Sequence, residues 1–226
     1  MDTFFYTFFV FAYMILMIWT FKSSQKELTY RSFLYLIIIG LLYDNLILAV
    51  GRFVGTGELL EILNLGRYWI HALVTPTLVL FSYGILKLAE VSWMKHNIVK
   101  WLSVIVAIML SVIEILMVLQ LELKPIWDNG VLQYISTSST NHPPYMIIGV
   151  TCVLLIGGFI VYRKTKWKWM LIGTVIMGVG SALSSFLPSG AVTNGFELFL
   201  LFTLALTKIH FEKNIVKEYR THIKNE

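Results

Sequence analysis

The sequence contains few charged residues. Asp, Glu, Lys and Arg make up 14% of its 226 residues, whereas about 25% is usual in a soluble domain. Apolar residues make up 57%, and several apolar runs reach the roughly 18 to 20 residues that cross a bilayer. This composition excludes a water-soluble globular protein and predicts an all-α, polytopic membrane protein.

Cysteine is almost absent. The single Cys152 lies in the apolar run from Met146 to Tyr162, so the chain alone cannot form a disulfide framework or a cysteine-based zinc site. The sequence does not identify a cofactor, which stays unknown at this point. The first apolar run lacks a small-residue cleavage pattern, so it is predicted to be a retained helix rather than a signal peptide.

The apolar runs predict seven transmembrane helices in a single domain covering residues 1–226, with a short basic tail at 209–226. The predicted spans are Thr3–Phe21, Ser32–Val54, Tyr68–Val91, Trp101–Leu121, Pro144–Tyr162, Lys168–Leu187 and Val192–Lys208. Because the number is odd, the two termini are expected on opposite sides of the membrane.

The basic residues indicate the orientation. Of eighteen Lys and Arg residues, all except Arg52, Arg67 and Lys124 fall in the first, third and fifth connections or in the tail. Lys and Arg are retained on the cytoplasmic side, so the N-terminus is predicted outside, in a multi-pass protein of the plasma membrane. The net charge of +5 then follows from topology. We therefore expect membrane lipids as partners and no nucleic acid.

Two outer connections carry structural signals. Segment 55–66 is bounded by glycines and has leucines on one face, which predicts a short amphipathic helix lying on the membrane surface as a lid. The longest connection, Glu122–Pro143, contains the turn signal Asn129-Gly130 and is predicted to be an outer loop with a turn.

Ionisable side chains within spans cost at least a few kcal/mol unless they are paired or hydrated. The predicted orientation places nearly all of these groups in the outer half and leaves the inner half almost purely apolar. This asymmetry predicts an outward-facing pocket that binds, senses or transports a small amphipathic or lipid-like molecule. The candidate ligand-binding residues are Asp44, Arg52, Arg67, His71, Glu114 and Glu197.

The same groups also allow a purely structural interpretation, in which acids and bases pair and hold the helices in register. Asp44 would pair with Arg52 or Arg67, and Glu114 with His71. An ion path is disfavoured because, in spans two, four and seven, Lys208 at the membrane edge is the only ionisable residue in the inner half.

A second alternative is a membrane-embedded, lipid-modifying hydrolase. His71 and His142 are weak candidate zinc ligands, and a metal bound there would activate a water molecule. Such a set is similar to that of the ceramidase and adiponectin-receptor type. The sequence alone leaves open whether the protein is an enzyme.

The third predicted span carries a spaced motif made of Arg67-Tyr68, Thr75-Pro76, Leu78 and Leu80. This spacing resembles the third helix of microbial rhodopsins, on a chain of similar length and orientation. The resemblance implies a seven-helix scaffold in which Arg67 matches the outer arginine of that family.

Other positions depart from the rhodopsin pattern. The counterion position falls on Ile70 and the inner proton-donor position on Phe81, and neither side chain can do that work. The candidate retinal lysine, Lys208, is expected at the membrane surface. The resemblance therefore implies a rhodopsin-like scaffold without pump activity.

Overall fold

The structure, a computed structural model, describes residues 2–25, 27–137, 144–183, 186 and 189–225, with side chains up to residue 213. Its α-helices are α1 (Asp2–Ser23), α2 (Phe33–Val54), α3 (Glu58–Val74), α4 (Leu78–Leu88), α5 (Asn97–Val118), α6 (Tyr145–Thr165), α7 (Trp169–Ala182) and α8 (Gly190–Asn225). Two strands, β1 (Leu123–Asp128) and β2 (Val131–Ser136), pair in an antiparallel hairpin.

Six helical segments of the described chain are long and apolar enough to cross a membrane. They are Asp2–Ser23, Tyr30–Val54, Glu58–Leu88, Asn97–Val118, Tyr145–Thr165 and Gly190–Lys213. α7 is apolar but has only 14 residues, about 21 Å of helix against roughly 30 Å of hydrocarbon. The predicted sixth span reached Leu187, whereas α7 ends at Ala182. Residues 184, 185, 187 and 188 lie outside the described part of the chain.

The surface of the helices is apolar, as contact with lipid requires. Along α5, Ile105, Ile108 and Val112 are about half exposed, at 59%, 58% and 48%, and form one stripe. In water such a stripe would be polar. The fold is thus that of an α-helical membrane protein.

Segment 55–66 is not a separate surface lid, because most of it forms the first turns of α3. The prediction was wrong because part of its apolar face is buried inside the protein. Leu60 is fully buried and packs in a cluster with Ile47 of α2 and Leu132 of the hairpin.

The hairpin confirms the predicted turn in the long outer connection. Asn129 and Gly130 have φ values of 47° and 85°, the combination typical of a two-residue type I′ turn. The turn contacts the start of α1, where the Asp2 N–H donates to the Asn129 carbonyl at 3.2 Å and the Thr3 hydroxyl donates to the Gly130 carbonyl at 2.9 Å. We call this side of the bundle the hairpin end.

At the other side of the bundle α1 and α4 end and α2 begins. Basic residues accumulate there, among them Lys22, Lys87 and Lys164. We call this side the basic end. α8 runs the whole distance between the two ends, from Gly190 beside the start of α1 to the basic end.

Candidate functional site

A cavity of about 80 Å³ lies inside the bundle between α2, α3, α4, α6, α7 and α8. Most of its lining is aliphatic. Its polar lining consists of Asp44, Arg67, His71, Thr75, Thr151, Thr174 and Glu197. The structure thus brings four of the six predicted site residues to one cavity.

Asp44 of α2 and Arg67 of α3 form an ion pair at the cavity wall. The Arg67 Nε donates to Asp44 Oδ1 at 2.8 Å, and one Arg67 Nη donates to Asn64 Oδ1, also at 2.8 Å. The side chains of Arg67 and Asp44 are 15% and 24% exposed. Of the two partners predicted for Asp44, Arg67 is therefore the one it contacts.

His71 occupies the last turn of α3, just before the helix is interrupted. Pro76 has no N–H to donate, and the chain passes through a 3-10 turn at Thr75–Thr77 before α4 begins. His71 Nδ1 lies 3.2 Å from the Thr75 hydroxyl oxygen. The predicted contact between His71 and Glu114 is not present among the described residues.

Glu197 differs from the other ionisable groups of the cavity, Asp44, Arg67 and His71, which each have a partner. It lies on α8, lines the cavity, and forms no hydrogen bond or ion pair with any described residue. The hydroxyl of Tyr13 on α1, a fully buried residue, also lacks a hydrogen-bond partner among the described residues. Glu197 is close enough to Tyr13 to interact with it electrostatically. Tyr13 is not part of the cavity lining, so the carboxyl of Glu197 is the one of these two groups that faces the cavity.

Two predicted site residues lie away from the cavity. Arg52 is exposed near the end of α2, with its guanidinium carbon 5.4 Å from the ring centre of Phe53. Glu114 is part-buried on α5 and is not in the cavity lining. His142 lies outside the described residues, and within the described residues no group of three or more His, Cys, Asp or Glu side chains is placed to hold a metal ion.

The prediction that the inner half is almost purely apolar is wrong, because an ion cluster is buried at the basic end. Lys208 Nζ lies 2.8 and 2.9 Å from the two carboxylate oxygens of Glu212, and the Arg31 Nε lies 2.8 Å from Oε1 of the same carboxylate. The backbone N–H of Gln25 also donates to Glu212, at 2.9 Å. We call Arg31, Lys208 and Glu212 the buried triad.

Lys208 was expected at the membrane surface, but the structure buries it completely. Its Nζ also lies 5.1 Å from the ring centre of Tyr35. α8 continues past Lys208, so Glu212, one turn further on, reaches the same interior position instead of belonging to an exposed tail. Lys208 is not in the lining of the cavity that contains Glu197.

Comparison with known proteins does not identify a family for this chain. No protein-family model matches the chain, and a search of the curated proteins found no match. The functional argument therefore rests on the two groups of charged side chains themselves. The cavity offers a carboxylate, an ion pair and an imidazole to a small molecule, whereas the buried triad offers an excess of positive charge.

Proposed function

We propose that this protein binds a small amphipathic molecule in the cavity lined by Asp44, Arg67, His71 and Glu197. The observation that carries the proposal is the Glu197 carboxyl, which faces a cavity and has no partner among the described residues. A polar group at membrane depth is costly unless something satisfies it. A bound ligand that donates to Glu197 would remove that cost.

The charged groups of the cavity favour a ligand whose polar end carries a hydrogen-bond donor. Asp44 and Arg67 neutralise each other across 2.8 Å, so Glu197 is the remaining acidic group of the cavity. A protonated amine or a hydroxyl has an N–H or O–H that can donate to Glu197, whereas a carboxylate ligand has none. The aliphatic lining suits an apolar body, and a volume of about 80 Å³ is well below the roughly 300 to 1,000 Å³ of drug-sized sites. The ligand that fits is therefore compact.

The number of membrane spans and their orientation are part of the same proposal. We infer seven spans with the N-terminus outside, so that the hairpin end faces the exterior of the plasma membrane. The distribution of Lys and Arg supports this orientation. A reporter fused after Glu226 should read cytoplasmic and one inserted within residues 136–140 should read external; readings from the same side would contradict the inferred orientation.

The resemblance of the third span to microbial rhodopsins is kept as a proposal about the scaffold alone. The position of Arg67 beside the cavity supports it. A shared scaffold does not assign a function, so the ligand proposal does not depend on it.

Binding can be tested with hexylamine, hexanoate and hexanol as probes of the polar end. Thermal unfolding of the purified protein in detergent would be followed with each probe. At ten times its Kd a ligand stabilises a protein by about 1.4 kcal/mol, which raises Tm by roughly 3 to 6 °C for a chain of this size. We expect hexylamine to give such a shift and hexanoate to give none.

The matched variants are Glu197→Gln and Glu114→Gln, each of which removes one intramembrane carboxyl. Glu197→Gln should abolish the hexylamine shift, and Glu114→Gln should keep it, because Glu114 lies outside the cavity lining. His71→Leu should weaken the shift while expression stays near wild type. An equal shift in Glu197→Gln, or equal stabilisation by hexanoate, would refute the proposal.

A further inference from the structure

A second, larger cavity opens at the basic end, far from Glu197. Its volume is about 860 Å³, and it is bounded by the connection after α1 and by the adjoining ends of α2 and α4. Its cationic lining residues are Arg31 and Lys87, and its apolar lining includes Leu28, Leu36 and Leu88. We propose that this cavity binds the phosphate headgroup of an anionic membrane lipid.

The charge of the buried triad supports an anion. Arg31 and Lys208 are two cations that share the single carboxylate of Glu212, so the triad retains one positive charge. The Arg31 side chain is only 12% exposed and that of Lys208 is fully buried. Excess positive charge held away from water attracts an anion more strongly than a hydrated surface charge does.

Arg31, which lines the cavity, also has donors without a partner among the described residues. Only its Nε bonds to Glu212, and neither Nη group donates to a described residue. Two parallel guanidinium donors fit the oxygens of a phosphate in a bidentate arrangement. Lys87, exposed at the rim of the cavity and without an ion pair in the described chain, adds a second charge.

The apolar lining identifies a lipid rather than a free anion. Leu36 is 46% exposed on α2 beside the cationic groups, and Leu28 in the preceding connection is 95% exposed. Leu36 lies in the first turn of α2, and Leu28 lies shortly before that helix begins. An acyl chain can follow Leu36 while the phosphate reaches Arg31. Basic pockets between helices near the cytoplasmic surface suit anionic headgroups in this way.

Native mass spectrometry of the detergent-solubilised protein would measure binding of phosphatidylglycerol, with phosphatidylcholine as the net-neutral comparison. We expect one tightly retained phosphatidylglycerol per chain. Lys87→Gln should weaken it about fivefold, since a basic residue near the membrane surface contributes roughly 1 kcal/mol. Arg31→Lys keeps the charge that faces Glu212 but loses the planar donor pair, and should weaken binding as well.

Lys95→Gln is the matched control, because Lys95 is exposed at the same end but outside the cavity lining. Lys95→Gln should leave the affinity for phosphatidylglycerol unchanged. Glu197→Gln should leave it unchanged too, so the test of this cavity is separate from the test of the other cavity. Three results would overturn the proposal: equal retention of phosphatidylcholine, equal weakening by Lys95→Gln, or displacement of the lipid by inorganic phosphate. The last result would identify a site for a free anion.

Discussion

Replacing Glu212 with Gln should strongly destabilise the protein. The Glu212 carboxylate is the acidic member of the buried triad, and it accepts hydrogen bonds from Lys208, from Arg31 and from the backbone of Gln25. The substitution removes the negative charge but barely changes the volume. Lys208 and Arg31 would then be two like charges without a carboxylate, at 0% and 12% side-chain exposure.

The magnitude follows from the cost of leaving a buried charge without its partner, which is about 3 to 5 kcal/mol. A loss of 1 kcal/mol lowers Tm by roughly 2 to 4 °C in a chain of 150 to 250 residues. Glu212→Gln should therefore lower Tm by about 6 to 20 °C. The lower part of this range applies if the amide oxygen of Gln still accepts one of the bonds.

The assay is thermal unfolding in a single mild detergent at low ligand concentration. Glu61→Gln is the control, because Glu61 is an exposed carboxylate on α3 without an ion pair among the described residues. Its Tm should stay within about 1 °C of wild type, since exposed charges contribute little. An unchanged Tm in Glu212→Gln would mean that water already reaches Lys208, and it would refute the burial argument.

Two further stability predictions concern pairs of matched variants. Asp44→Ala should cost about 1 to 3 kcal/mol, because it removes the carboxylate that accepts from the part-buried Arg67 Nε, and Asp44→Asn should cost less, since an amide oxygen can still accept. Gly173→Ala should cost about 1 to 3 kcal/mol, because a Cβ there would lie 2.9 Å from the Cβ of Thr203 on α8. Gly178→Ala should not destabilise, since its nearest neighbour, on α6, would be 3.5 Å away. Thermal unfolding curves of the two variants in each pair, measured side by side, test which variant is less stable. If the variant expected to be more stable were the less stable one in either pair, the packing described would be contradicted.

The long helices could be predicted from sequence because their cause is local. A run of twenty apolar residues must cover its backbone groups with its own hydrogen bonds, and a helix is the form that does so in lipid. The Asn129-Gly130 turn was predictable for the same reason, since its two positive φ values depend on these two residues alone. The prediction that Asp44 and Arg67 lie at a similar depth in the bundle needed only helix counting from the predicted ends, and the two side chains are in contact.

Features that depend on contacts between distant segments could not be found in this way. The apolar face of segment 55–66 has the same pattern whether it lies on lipid or on another part of the chain. Leu60 is covered by Ile47 of α2 together with the folded hairpin, which lies about seventy residues later in the sequence. The structure therefore extends α3 where the sequence favoured a surface helix.

The buried triad was missed although a sequence signal was present. Lys208 and Glu212 are four residues apart, a spacing that places them on one face of a helix. Charged residues at the end of an apolar run usually lie in water, so this spacing alone does not predict a buried ion pair. Arg31, far away in the sequence, supplies the cation that shares the Glu212 carboxylate, and nothing local to residue 212 indicates that contact.

α8 carries Glu197 of the first proposed site, and its Glu212 contacts Arg31 of the second, so this helix determines how the two tests can be combined. Glu197 and Lys208 lie on the same helix, eleven residues apart, or about 16 Å at roughly 1.5 Å per residue. Substitutions separated by more than roughly 7 to 10 Å and without shared partners act additively. Glu197→Gln and Lys87→Gln share no described contact, so each should affect only its own ligand. Glu212→Gln is different, because it weakens the contacts that hold α8 at the basic end. Since Glu197 lies on the same helix, its position would change as well. A variant that loses both ligands together is therefore expected only when the triad is broken.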